Sequence, residues 1–276
     1  MKKLLWAILA TSIIAGANPE TCYAKNKSKK NDKKEQVKDT TAKESKYEKL
    51  IKAAKTQKGM FTLHITNDNK LLVEVPDSLM NRTFLLSRRV AATTDPKIFV
   101  AGEMTTNPFM IRFSKNEQSL FMHLVQHRNI IDENDPIAAS FDKNFGDPII
   151  KAFKISTQNG KDVVVDMSDF FKGNEKIISP MPTPTPGSSS KIKTGTYTAA
   201  NSYILGAKSF PQNSEIRSVL SFTGDNNCTV TMHRSLVLLP ERPMTPRIYD
   251  RRVGFFSSGK NIYSSDKDRI DYTKYV

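Results

Sequence analysis

The residue types that usually carry chemistry are scarce in this chain. Of 276 residues only two are cysteine, Cys22 and Cys228, and only four are histidine, His64, His123, His127 and His233. Two cysteines cannot build a disulfide framework. No Gly-x-Ser-x-Gly elbow, Gly-x-Gly-x-x-Gly turn or phosphate-loop pattern occurs, so the best-marked nucleophile and nucleotide sites are excluded. No apolar run reaches the about 20 residues that a bilayer-spanning helix needs, which implies no transmembrane segment.

What is present begins with export. Lys2 and Lys3 precede an apolar run over 4–14 and then small residues, the pattern of a secretory signal peptide over 1–24, with cleavage after Ala17 or Ala24. The expected location is outside the cytoplasm: periplasm, cell envelope or secreted. The net charge of +14 is uneven: residues 25–58 hold 13 Lys against 5 acidic residues. A basic tail attracts anionic polymers. This one lacks arginines and interleaved aromatics, so nucleic acid is not an expected partner. Residues 25–44, poor in large apolar groups, read as a disordered tether.

The folded part is expected to be mainly β, of the α+β kind. Ser45 and Glu48 have capping-box spacing, and Tyr47, Leu50, Ile51 and Ala54 follow a helical period, which predicts a helix over 46–58 ending at Gly59. Alternation over 60–66, turn chemistry at Asn67-Asp68-Asn69 and a return over 71–75 predict a hairpin, with a third strand over 83–90. These elements form an expected small helix-plus-hairpin domain, 45–91. Beyond it, strands are expected over 98–102, 108–114, 119–127, 152–157 and 162–167, with a type I′ turn at Asn159-Gly160 and a helical turn over 168–171. A Pro/Ser loop over 179–195 interrupts this second domain, 92–276. Strands then resume over 202–210, 215–222 and 228–239, giving an expected antiparallel β-sandwich or curved sheet.

One stretch stands apart. Residues 239–256 read LPERPMTPRIYDRRVGFF: three prolines stop the preceding strand, and Arg247, Asp250, Arg251 and Arg252 crowd into six positions. These charges are expected either to form an ion-paired network holding the turn, Arg247, Asp250 and Arg252 above all, or to stay solvated and meet a partner. The stretch resembles the segment that leads into the catalytic domain of the zinc-dependent, metzincin-type metalloproteases exported by Bacteroidetes. In that family a helix ending at Gly, a hairpin and a PDSL segment also come first, here 76–79, and an FPxN-x-E approach precedes LPE, here Phe210 to Glu215. The similarity runs from about residue 46 to 276.

The resemblance implies a zinc peptidase in full-length relatives, but the catalytic motif is missing here. A metzincin requires His-Glu-x-x-His-x-x-Gly-x-x-His. His123 and His127 have the i, i+4 spacing, but Leu124 stands where the base should be and no third ligand follows. They are the metal candidates, read otherwise as strand histidines. Cys228 reads either as a thiolate ligand shielding a protease zinc or as a small packing residue. Ser188 and Lys191 have a serine–lysine spacing but lie in the Pro/Ser loop. No catalytic or cofactor-binding residue is therefore assigned, and zinc is expected only in the absent catalytic domain. Three readings remain. The first is a truncated or split non-catalytic N-terminal region that folds, docks or presents substrate to a metallopeptidase domain encoded downstream. The second is an envelope-associated β-rich protein binding glycan or peptide. The third is a hydrolase with an unrecognised site.

Overall fold

A computed structural model describes residues 45–180, 195–224 and 227–275. The expected signal peptide, the Lys-rich tether and all but the ends of the Pro/Ser loop, with Ser188 and Lys191, lie outside the described residues. The protein is mainly β. Its strands are β1 Lys55–Gln57, β2 Thr62–Ile65, β3 Leu71–Val75, β4 Thr83–Thr93, β5 Phe109–Lys115, β6 Ser119–Leu124, β7 Asn129–Ile131, β8 Ile149–Asn159, β9 Asp162–Asp166, β10 Thr196–Tyr197, β11 Tyr203–Ser209, β12 Asn213–Thr223, β13 Cys228–Leu238, β14 Ser258–Tyr263 and β15 Asp271–Tyr275. Among the described residues three short α-helices join them: α1 Lys46–Ile51, α2 Ala138–Asn144 and α3 Ser168–Lys172.

Twelve of these strands form one antiparallel sheet in the order β1-β2-β3-β9-β8-β6-β5-β4-β13-β12-β10, with β11 also on β12. The sheet curls until its ends nearly meet. Asn69, at the β2–β3 turn in a left-handed conformation (φ 59°), donates to the Ile204 carbonyl at 2.8 Å and accepts from the Ile204 amide at 2.7 Å. Beside it the Met60 amide donates to the Phe210 carbonyl at 2.7 Å. Gly59 sits at this seam because a Cβ there would lie 2.6 Å from the Phe210 nitrogen and the Ser209 backbone.

Inside, alternate residues of β4, β5, β6 and β13 fill the core. Phe61, Phe84 and Phe113 pack with ring centroids 5.4–6.0 Å apart. Phe170 and Phe171 of α3 join the same core as Phe153 and Ile178. A neighbouring cluster holds Val90, Phe99, Leu220, Phe222, Val230, Met232 and Cys228. Each aromatic fully removed from water contributes about 1.5–3 kcal/mol.

Several expectations change here. The capping box is present, with Ser45 Oγ accepting from the Glu48 amide at 3.1 Å and Glu48 Oε2 from the Ser45 amide at 2.7 Å. The helix nevertheless stops at Ile51, because Lys55–Gln57 pair with Leu63–Ile65 instead of extending it. The hairpin is not a separate small sheet: every residue of β3 is buried, and its free edge is satisfied by β9, as β4 is by β13. Residues 98–102 are not a strand. They turn at Gly102 (φ 92°) and bury Phe99. The β8–β9 turn has positive φ at Gly160 (62°) but not at Lys161, whereas a type I′ turn requires both.

A second sheet, β15-β14-β7, includes the parallel pair β14–β7. Phe141 of α2 and Phe145 just after it pack on Tyr263 at centroid distances of 5.2 and 5.0 Å.

Candidate functional site

The two histidines singled out by spacing do not share a strand. β6 ends at Leu124, and His127 follows it on an exposed stretch. Both ring nitrogens of His123 are engaged: Nδ1 donates to the Asp147 carbonyl at 3.2 Å, which leaves Nε2 to accept from the Ser114 hydroxyl at 2.7 Å. Among the described residues no three His, Cys, Asp or Glu side chains converge in a way that would hold a metal. Cys228 is buried against Val90, Phe99 and Met232, with Thr93 Oγ1 at 3.8 Å, in the position of a packing residue.

The arginine-rich turn is exposed. Asp250 and Arg252 pair side chain to side chain, with Nε–O distances of 3.0 and 3.1 Å, and Arg252 holds the Asp250 carboxyl below its ordinary range. Arg247 and Arg251 are exposed and have no ion-pair partner among the described residues, so the expected network contracts to one solvated pair. The segment is held to the second sheet by Tyr249, whose amide donates to the Lys274 carbonyl at 2.9 Å and whose ring lies 5.6 Å below the Lys274 ammonium. Around that anchor the chain projects apolar side chains outward. Met244 is 76% exposed, Ile248 73%, Phe255 62% and Phe256 fully so.

Three further clusters were not foreseen. On the outer face of β11, β12 and β13, a groove of about 440 Å³ is lined by Leu205, Lys208, Phe210, Glu215, Arg217 and His233. Its Glu215 accepts from His233 Nε2 at 2.7 Å and from the Ser235 hydroxyl. Because both bond the same carboxylate, Ser235 and His233 do not form a nucleophile–base pair. Under α1, the buried Glu74 accepts from the Tyr47 hydroxyl at 2.8 Å and the Asn159 amide at 2.8 Å, with His64 Nε2 at 3.4 Å and Thr56 against His64 Nδ1. This network fastens the helix to the sheet. Burial and the Glu74 carboxylate push the Tyr47 phenol up to about 12.

The third cluster lies inside the curled sheet. Arg234 is completely buried, and its guanidinium donates to the Phe171 carbonyl at 2.9 Å, Ser218 Oγ at 2.5 Å and the Ile178 carbonyl at 3.3 Å. It thereby ties α3 and the turn after it to the wall. Burial, then the charge of Arg88, push its pKa down to about 9, still on the charged side of neutrality. The inward phase of β4 (Phe84, Leu86, Arg88, Val90) and of β13 (Val230, Met232, Arg234, Leu236) was readable from alternation and would have exposed both arginines.

The whole is a mainly antiparallel β-fold, and among the described residues no group of three metal-ligating side chains is assembled. The chain belongs to the family described as domain of unknown function DUF5117, which matches residues 102–276; domain of unknown function DUF5118 matches 44–93. The two matched regions contribute interleaved strands to one sheet. No curated protein and no solved structure matches the sequence.

Proposed function

We propose that this chain is a non-catalytic docking module of an exported zinc-metalloprotease-like protein, and that its arm over 240–257 receives the peptidase domain. The observation that carries this reading is the exposure of Met244, Ile248, Phe255 and Phe256. They lie in the stretch whose sequence resembles the lead-in to that domain. Exposed apolar side chains grouped on one segment mark interaction surfaces more often than isolated ones do. The three prolines limit the arm's freedom and so reduce the entropy lost on docking. No His-Glu-x-x-His motif occurs in the sequence.

Full-length mature chain dialysed against zinc should hold no stoichiometric metal and should cleave neither casein nor a peptide library. One tightly bound zinc with chelator-sensitive cleavage, lost in both His123→Ala and His127→Ala, would overturn the reading. The groove beside Phe210 favours a second reading, capture of a glycan or peptide at the cell envelope, since it joins an exposed aromatic to charged and hydrogen-bonding groups. Phe210→Ala would abolish such binding and leave docking through 240–257 intact.

A further inference from the structure

Two arginines are register partners inside the sheet, and neither is ion-paired among the described residues. Arg88 on β4 and Arg234 on β13 are register partners, both on the inward face, 6% and 0% exposed. Arg234 has its three hydrogen bonds to α3, the following turn and Ser218. Arg88 has none among the described residues: its Nε and Nη1 are buried and unpartnered, and its guanidinium lies 5.5 Å above the Phe109 ring. The Nε of Arg234 is likewise unpartnered.

The stretch running beside Arg88 adds donors. Backbone bonds join Val90 to Gly102 and Glu103 at one end, and Leu86 pairs with Phe109 at the other. Between these ties lie Thr105 and Thr106, whose hydroxyls are both buried without a partner. The stretch tied to β4 on both sides of Arg88 thus carries two buried hydroxyls without a partner, and no acidic side chain forms an ion pair with either arginine among the described residues. Leaving one buried cation unneutralised is costly, and placing a second beside it raises the cost. A planar guanidinium fork with neighbouring hydroxyls matches a tetrahedral oxyanion.

We propose that Arg88, Thr105 and Thr106, backed by Arg234, bind a small tetrahedral oxyanion, phosphate or sulfate, inside the curled sheet. The anion would neutralise the pair and tie the 104–108 stretch to β4 and β13. Because Arg88 is nearly enclosed, the free ion fits better than a substituent on a polymer.

Equilibrium dialysis of the full mature chain with labelled inorganic phosphate, at constant ionic strength set with sodium chloride, tests this. The expected result is one phosphate per chain, displaced by sulfate and not by acetate, with thermal stability rising as the site fills. Arg88→Met should weaken binding at least tenfold. If that variant does not fold, the double variant Thr105→Val, Thr106→Val keeps the charge and should weaken binding several-fold. Glucose 6-phosphate distinguishes the sources: exclusion supports a free ion, and binding as tight as phosphate supports a phosphorylated or sulfated substituent at the same site. No saturable binding, equal displacement by acetate, or unchanged binding in the folded variants would overturn the proposal.

Discussion

Strand β13 and the arm that follows it are both rich in large apolar residues, yet they meet opposite fates. Along β13 every second residue from Cys228 to Leu236 is buried, because β4 and β12 satisfy both edges and the inward face meets other inward faces. Over 240–257 only Tyr249 and Asp250 are even partly covered. Prolines remove ladder donors there, and the arm is held by the short pairing of Ile248 and Tyr249 with the end of β15 and by the ion pair of Glu241 with Arg82 at 2.7 Å. Along β13 the paired backbone holds apolar side chains against the inward face, whereas along the arm little backbone is paired and most of them stay on the surface.

Core variants should therefore be severe and arm variants almost silent. The largest effect is expected from Phe84→Ala, which empties the centre of the Phe61–Phe84–Phe113 cluster and should cost about 3–5 kcal/mol by denaturant unfolding. Next comes the seam. Asn69→Ala removes both bonds to Ile204 and forces a left-handed alanine, so a loss of about 1–3 kcal/mol is expected, with faster amide exchange at Ile204. Tyr47→Phe should cost about 1 kcal/mol, the usual worth of one hydrogen bond. The same phenol gives a pH signature. Its folded value near 12 lies above the ordinary 10.0, so its contribution is complete below pH 10 and is lost as pH rises through 12. The tyrosinate absorbance difference between wild type and Tyr47→Phe should therefore appear near pH 12, and Glu74→Gln should move it downward.

Much of this frame was legible in the sequence, and the misreadings have physical causes. The capping box at Ser45 and Glu48 is a local signal, as are the turn at Asn67 to Asn69 and the alternation of β12 and β13. The end of α1 was misplaced because Ala54 continued the helical period while Lys55–Gln57 had a better alternative in pairing with β2. Gly59 was read as a helix cap, although its absent side chain serves a contact with Ser209 and Phe210, about 150 residues away. Such seams join distant segments and leave no periodic trace. At the arm the density of charge was plain, but charge alone could not say whether Arg247, Asp250, Arg251 and Arg252 were buried together or solvated. The arginine pair was missed because Arg88 sits in a local SRRV string that resembles a surface, and only its phase with Phe84 and Leu86 betrays it.

The smallest effects are expected on the arm. Asp250→Ala should leave the unfolding midpoint unchanged, its partner Arg252 being solvated. Phe255→Ser with Phe256→Ser should stay within about 0.5 kcal/mol of wild type, since neither ring is covered.

Hydrogen–deuterium exchange of the chain, alone and with a His-Glu-x-x-His-bearing peptidase domain of the resembling metalloproteases added in trans, tests the proposed docking role most directly. Slowed exchange concentrated over 240–257 and the adjoining β14 and β15, abolished by the Phe255→Ser, Phe256→Ser variant, is the expected result. Absence of binding, or binding that leaves 240–257 unprotected and survives that variant, would contradict it.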